Sequence, residues 1–172
     1  MSKGARIELA EAKKIAEKVE ALIKTHAPSL FVKTCGSILR GKETCGDVDL
    51  VVKESEFPEI QRIFEMFGEE YELVYTKGSK KNPPKLHHAF DKESGFKIEF
   101  YVARDNAVGA MTLFATGNGL YNIKQRQAAN GKGFKLSQYG LFKGEELVAG
   151  ETEEDIYVAL GIKYLTPKER EF

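Results

Sequence analysis

Between residues 35 and 52 the chain reads Cys35-Gly36-Ser37-Ile38-Leu39-Arg40-Gly41-Lys42-Glu43-Thr44-Cys45-Gly46-Asp47-Val48-Asp49-Leu50-Val51-Val52. No other stretch limits the fold as strongly. The pattern predicts a buried strand, a Gly-Ser turn, a polar connection and a second apolar strand that opens with Asp-Val-Asp. Alternate side chains of a strand share a face, so Asp47 and Asp49 project together. Packing gains nothing from two adjacent carboxylates, which repel each other. A divalent cation removes the repulsion, and hard oxygen ligands suit Mg²⁺.

Gly36 and Ser37 offer backbone N–H groups and a hydroxyl to an anion, and Arg40 adds a planar donor fork that fits phosphate. Each piece alone has a plainer explanation: Asp-x-Asp often opens a strand, and Gly-Ser often makes only a turn. Their succession within one supersecondary unit points to a metal beside a triphosphate cradle, the equipment for nucleotidyl transfer.

At 172 residues the chain has room for one sizeable core or two small lobes. Composition is that of an ordinary globular protein, 42% hydrophobic and 30% charged. No apolar run reaches membrane-spanning length and the N-terminus has no signal-peptide pattern. The expectation is therefore a cytoplasmic protein, or one in a viral or host compartment that contains DNA, neither secreted nor bound to a membrane. Cys35 and Cys45 form no metal or redox motif, and a reduced pair is expected.

Lysines and arginines balance aspartates and glutamates at 26 each, which by itself argues against a nucleic-acid partner. Their distribution argues the other way. Lys77, Lys80, Lys81, Lys85, Lys92 and Lys97 crowd residues 76–97, and residues 124–143 hold Lys124, Arg126, Lys132, Lys135 and Lys143 without an acid. A solvated face is the plain alternative.

Apolar spacing predicts helices over 8–25, 57–67, 107–115, 120–129 and 156–160, the last capped by Thr152-Glu153-Glu154-Asp155. Strands are expected over 30–35, 48–52, 71–76, 85–90 and 96–102, with a hairpin formed by 134–142 and 147–148. Residues 78–84 read as a basic loop stiffened by Pro83-Pro84. Glu99 interrupts an apolar strand, and two carboxylates leave a metal pair short of ligands, so Glu99 is the expected third acid. A spectator acid at a strand end is the alternative. The composition shift near 104–106 divides the chain into residues 1–104 and 105–172.

Several segments resemble the family X DNA polymerases, the DNA polymerase beta-like nucleotidyltransferases. They are Gly36-Ser37-Ile38-Leu39-Arg40-Gly41 through Gly46-Asp47-Val48-Asp49; Phe114-Ala115-Thr116-Gly117; Asn122 to Arg126 with Gly133-Phe134-Lys135-Leu136 and Gln138-Tyr139-Gly140-Leu141-Phe142; and Thr152 to Gly161 with Pro167-Lys168-Glu169-Arg170-Glu171. The order and spacing follow the family across nearly the whole chain.

The resemblance implies an α+β fold: a nucleotidyltransferase palm, a mixed sheet with flanking helices, over 1–104, and a small α/β C-terminal subdomain that binds nucleotide and template over 105–172. It implies a minimal form without the family's lyase, helix-hairpin-helix or phosphoesterase domains, similar in plan to small virus-encoded members. Two Mg²⁺ ions, for which Mn²⁺ can substitute, would sit on Asp47, Asp49 and Glu99. Gly36, Ser37, Arg40 and Gly46 would hold the triphosphate, with Arg6 assisting, and Phe114, Ala115, Gly117 and Asn122 would complete the nucleotide site. Lys97, Arg126, Lys85, His88 and Lys132 would contact DNA.

The implied activity is distributive, short-gap DNA synthesis by a monomer acting on primer-template or gapped DNA and dNTPs, in repair alongside a partner such as a DNA ligase. Rival readings are a template-independent transferase, a transferase acting on a small molecule or RNA, and a non-catalytic DNA-end binder.

Three positions depart from the family. Glu99 stands where an Asp is usual. Ala115 replaces a bulky Phe that screens the sugar 2′ position, which implies weak ribonucleotide discrimination. Gly119 replaces an acidic or polar residue near the incoming base, which implies looser base stacking. Phe114 packs either under the sugar or in the core. His87 and His88, adjacent in a strand, are expected on opposite faces, one near the DNA backbone and one packed inside. For Tyr139 and Phe142, hairpin packing is expected ahead of base stacking.

Overall fold

The computed structural model describes residues 5–79 and 85–171. Lys80 to Pro84, the centre of the expected basic loop, lie outside the described residues. The chain runs β1 (Ile7–Glu8), α1 (Leu9–His26), β2 (Val32–Thr34), α2 (Gly36–Arg40), β3 (Thr44–Cys45), β4 (Asp47–Lys53), α3 (Phe57–Met66), β5 (Tyr71–Tyr75), β6 (Leu86–Asp91) and β7 (Lys97–Ala103). It continues through α4 (Val108–Thr116), α5 (Gly119–Gly131), β8 (Lys135–Ser137), β9 (Gly140–Lys143), β10 (Glu146–Ala149), α6 (Glu153–Leu160) and a 3₁₀ turn at Pro167–Arg170.

The main sheet has the order β2-β4-β7-β6-β5. Its centre is the parallel pair β4 and β7, and the other pairings are antiparallel. A parallel pair is covered on both faces, which is why β4 carries a near-continuous apolar run. Val48, Leu50 and Val52 face a core shared with Ala12, Ile15, Val19 and Ile23 of α1 and Ile60 and Phe64 of α3. Val51 turns the other way, onto Cys35, Ala103 and Met111 of α4. By the two-residue period, Asp47 and Asp49 share the α4 face with Val51.

A second core joins Ala110 and Leu113 of α4 with Tyr121 of α5, Leu136 and Leu141 of β8 and β9, and Ile156, Tyr157 and Leu160 of α6. The α4 helix feeds this second core and, through Met111, the Val51 cluster, and is apolar almost all round, as a helix buried on two sides must be. Gly109 lets it approach α6, since a Cβ there would lie 2.1 Å from the Thr152 carbonyl carbon.

Several expected elements take different forms. The Gly-Ser turn is the first turn of α2. Residues 134–142 are not one strand: β8 and β9 reverse over a two-residue loop, pairing Ser137 with Gly140, and β9 then pairs with β10. The short ladder of β1 with β3, Ile7 opposite Cys45, has no counterpart in the apolar pattern.

His87 and His88 do not face opposite ways. The register between β5 and β6 slips from Val74–His88 to Tyr75–Leu86, and this irregularity at His87 breaks the alternation. The two imidazole Nδ1 atoms lie 2.7 Å apart.

Candidate active site

The parallel register of β4 with β7 sets Asp49 opposite Glu99 and Asp47 opposite Lys97. One carboxylate oxygen each from Asp47, Asp49 and Glu99 lies within 4.8 Å of the other two. Burial and then the charges of Asp47 and Glu99 push the Asp49 carboxyl up to about 7. Asp47 is also raised, mainly by burial, against the opposing pull of Lys97. Three converging acids, with Asp47 and Asp49 both resisting ionisation, form a ligand set in search of a cation. Lys97 Nζ donates to Glu99 Oε2 at 2.7 Å and neutralises part of the charge.

The α2 helix closes the site from above. Gly36 has φ +61°, and a Cβ there would lie 1.8 Å from Asp49 Oδ2. Only glycine lets the backbone pass so close to the acid. Ser37 is half-buried one position on. Arg40 reaches away from open solvent, donating to the Thr116 carbonyl and pairing with Glu171. Its charge still pulls on Asp49, so the triad and this guanidinium share one electrostatic environment. Gly46 borders Arg6, whose guanidinium would lie 3.5 Å from a Cβ. Arg6 itself donates to the Thr44 hydroxyl at 3.0 Å and to the Thr44 carbonyl.

Beside the triad, Phe114, Asn122 and Arg126 line one cleft with Ala110, Leu113, Gln125, Leu136 and Ser137. Asn122 Nδ2 donates to the Phe114 carbonyl at 2.8 Å, fixing α5 against the end of α4. Ala115 is half-buried next to Phe114. Gly117 has φ +67° and approaches Arg40.

The expected DNA contacts are less unified. Lys97 stands beside the triad, paired with Glu99, and His88 pairs across the sheet with Glu99. Lys85 is exposed beyond the start of β6, and Lys132 lies at the C-terminal end of α5 beside Gly161. Neither lines the cleft of Asn122 and Arg126.

Tyr101 belongs to the site although the sequence offers no sign of it. It lies two residues along β7 from Glu99, and its hydroxyl is strongly raised by burial and then by the charges of Asp49, Glu99 and Asp47. Its ring meets that of Phe114 edge-on at 6.4 Å. Cys35 is an inert thiol, its pKa pushed up to about 12 by burial.

Models of the DNA polymerase beta palm and DNA polymerase beta thumb match residues 6–79 and 111–171. The chain belongs to the family X DNA polymerases. DNA polymerase lambda of Rattus norvegicus is 26% identical over 185 residues, 94% of this chain and 32% of that protein. Repair DNA polymerase X of African swine fever virus (isolate Tick/South Africa/Pretoriuskop Pr4/1996) is 35% identical over 81 residues, 46% of this chain and 47% of that one.

The fold matches a crystal structure of Leishmania infantum polymerase beta in a ternary P/T complex, with TM-score 0.75 and 17% identity, covering 99% of this chain and 78% of the other. The chain spans about a third of the length of the lambda enzymes it matches, 32% of the rat protein and 36% of that of Arabidopsis thaliana. The palm model covers α2, Asp47 and Asp49 and ends before Glu99, and the thumb model begins within α4 and covers α5. No helix among the described residues is long and apolar enough to cross a membrane.

Proposed function

We propose that this family X chain is a DNA-directed DNA polymerase that adds dNTPs to a primer 3′-hydroxyl. The observation that carries the reading is the convergence of Asp47, Asp49 and Glu99 on the sheet face that adjoins the α4–α5 cleft. In the reaction the 3′-oxygen attacks the α-phosphorus, the bond from that phosphorus to the bridging oxygen breaks, and pyrophosphate leaves as the 3′-hydroxyl gives up its proton. Asp47, Asp49 and Glu99 would hold Mg²⁺, which when bound would supply charge neutralisation and lower the hydroxyl pKa.

The chain's own groups do the positioning. Asp47 and Asp49 set the cation site, and Glu99 adds the acid nearest the primer terminus. Gly36 and Ser37 present backbone to the triphosphate, Arg40 and Arg6 bring positive charge, and Lys97 lies between the triad and the primer phosphate. Asn122 and Arg126 meet the nascent pair and the template, with Phe114 beneath the sugar.

Residues 1–104 act as the palm and 105–172 as the nucleotide- and template-binding lobe. The reading takes synthesis to be distributive and suited to short gaps in repair, by a monomer whose nicked product a DNA ligase seals. Ala115 leaves the 2′ position weakly screened.

The test is single-nucleotide insertion on gapped, nicked and blunt DNA with dNTPs and rNTPs, beside Asp49→Asn and Ala115→Phe. Template-matched insertion at the gap, absent in Asp49→Asn, is expected, and Ala115→Phe is expected to raise the dNTP-to-rNTP ratio. Insertion that ignores the template would make the chain a terminal transferase. DNA binding without any insertion would leave only an end-binding role.

A further inference from the structure

Outside the triad, a second cluster sets Glu171 among cations. Arg6, Arg40, Lys42 and Lys168 line an open cleft of about 810 Å³ with Gly41, Glu43, Thr44 and Glu171. In that cleft the Glu171 carboxylate splits between two partners: Oε1 takes Arg40 Nε, and Oε2 lies 3.1 Å from Lys42 Nζ. Burial opposes its charge, but the hydrogen bonds from Arg40 and Lys42 outweigh burial and hold the carboxyl below the usual range. Two oxygens bridging a guanidinium and an ammonium reproduce the way two phosphate oxygens would bind them. Only 11% of the Arg40 side chain is exposed, so an incoming anion meets Arg40 already engaged.

We propose that Glu171 is an autoinhibitory latch, a tethered carboxylate that occupies the Arg40–Lys42 pair and that a triphosphate tail must displace. The inference rests on the nucleotidyl-transfer reading of this site. Its consequence is quantitative. A ligand that binds only the displaced form loses affinity by the fraction of molecules in that form, so a latch closed in about nine of ten molecules weakens binding roughly tenfold. The penalty falls on every phosphate ligand. A triphosphate overcomes it with its extra contacts to Arg6 and Lys168 of the same cleft. Pyrophosphate, the leaving product, bears the same penalty with fewer contacts, and Glu171 closes behind it.

The experiment is calorimetric titration of the full chain with inorganic tripolyphosphate and with pyrophosphate, comparing the native protein with Glu171→Gln and Glu171→Asp. Melting temperatures of all three are recorded. Glu171→Gln is expected to bind both anions about tenfold more tightly, and Glu171→Asp to return most of the way to the native affinity. Unchanged or weaker binding by Glu171→Gln would overturn the proposal and reduce Glu171 to a peg for the C-terminal segment, as would no binding by either protein. Should Glu171→Gln fold poorly, Glu171→Ala carries the same test, with tighter binding of both anions expected and unchanged or weaker binding overturning the proposal. Tighter binding in Glu171→Gln by a chain that extends no primer would keep this inference and sink the polymerase reading instead.

Discussion

Burial and two neighbouring carboxylates hold the Asp49 carboxyl near pH 7, whereas its ordinary value is 3.8. Between those values the folded chain keeps a proton that the unfolded chain has released. Folding then binds more protons than unfolding, so metal-free stability falls as pH rises through the window and levels off above it. A shift of this size is worth up to roughly 4 kcal/mol, to which Asp47 adds in the same direction.

Asp91 and Glu171 are lowered, so their contributions are lost only at more acidic pH, below this window. Chemical denaturation in EDTA at pH 5 and pH 8 is expected to show the native chain less stable at pH 8, and Asp49→Asn nearly level. Mg²⁺ added at pH 8 should restore stability to the native chain and not to the variant, because the ion replaces the proton. A native profile that rises toward pH 8 without metal would contradict this account.

Asp47 and Asp49 were legible as a pair because strand period alone puts them on one face. Glu99 was legible as an acid misplaced in an apolar run. Tyr101 was not, since the Asp49 charge that acts on it lies on the neighbouring strand and tyrosine is at home in any strand.

At the scale of elements, the site depends on how closely α2 crosses the start of β4. Gly36 permits that approach twice over, through its left-handed φ and the missing Cβ. In Gly36→Ala the added methyl meets Asp49 Oδ2, and the short helix or the carboxylate must move. A shift near 1 Å at a reacting centre costs about 10²-fold in rate, while the strain of a left-handed alanine costs only about 1 kcal/mol of stability. Insertion assays are therefore expected to show a loss of about 10²-fold or more, with circular dichroism unchanged and Mg²⁺ binding weakened. A variant with native activity would show that α2 has room to spare.

The longer elements were legible from periodicity, with α1 shifted by one residue from the expected 8–25. The short ones were not. The five residues of α2 are fewer than two helical turns, and the β1–β3 ladder is too short for alternation to register. The β8–β9 reversal hides inside an apolar run, and the slip at His87 has no sequence mark at all.

Over the whole molecule the C-terminal segment returns to the palm, and Arg170 fixes where it lands. Its side chain is fully buried, paired with both oxygens of Glu153 at 3.1 and 3.2 Å. Two of its nitrogens also donate to the Leu165 carbonyl. The guanidinium packs against the rings of Tyr121, Tyr157 and Tyr164. Its own carbonyl accepts from Asn118 Nδ2 at 3.0 Å, at the start of α5. This arrangement places the next residue, Glu171, against Arg40.

Removing one member of a buried pair leaves the other charged and unsatisfied, at a cost of about 3–5 kcal/mol, whereas removing both is far cheaper. Arg170→Leu is therefore expected to lose stability on that scale in denaturant titration, and Arg170→Leu with Glu153→Leu to recover much of it. The two losses would be strongly non-additive, as partners in direct contact should be. If the single variant lost less than about 1 kcal/mol, the segment would be held by the Arg40 and Lys42 contacts of Glu171 instead. In that case Glu171 would anchor the C-terminus, and displacing it would loosen the whole lobe.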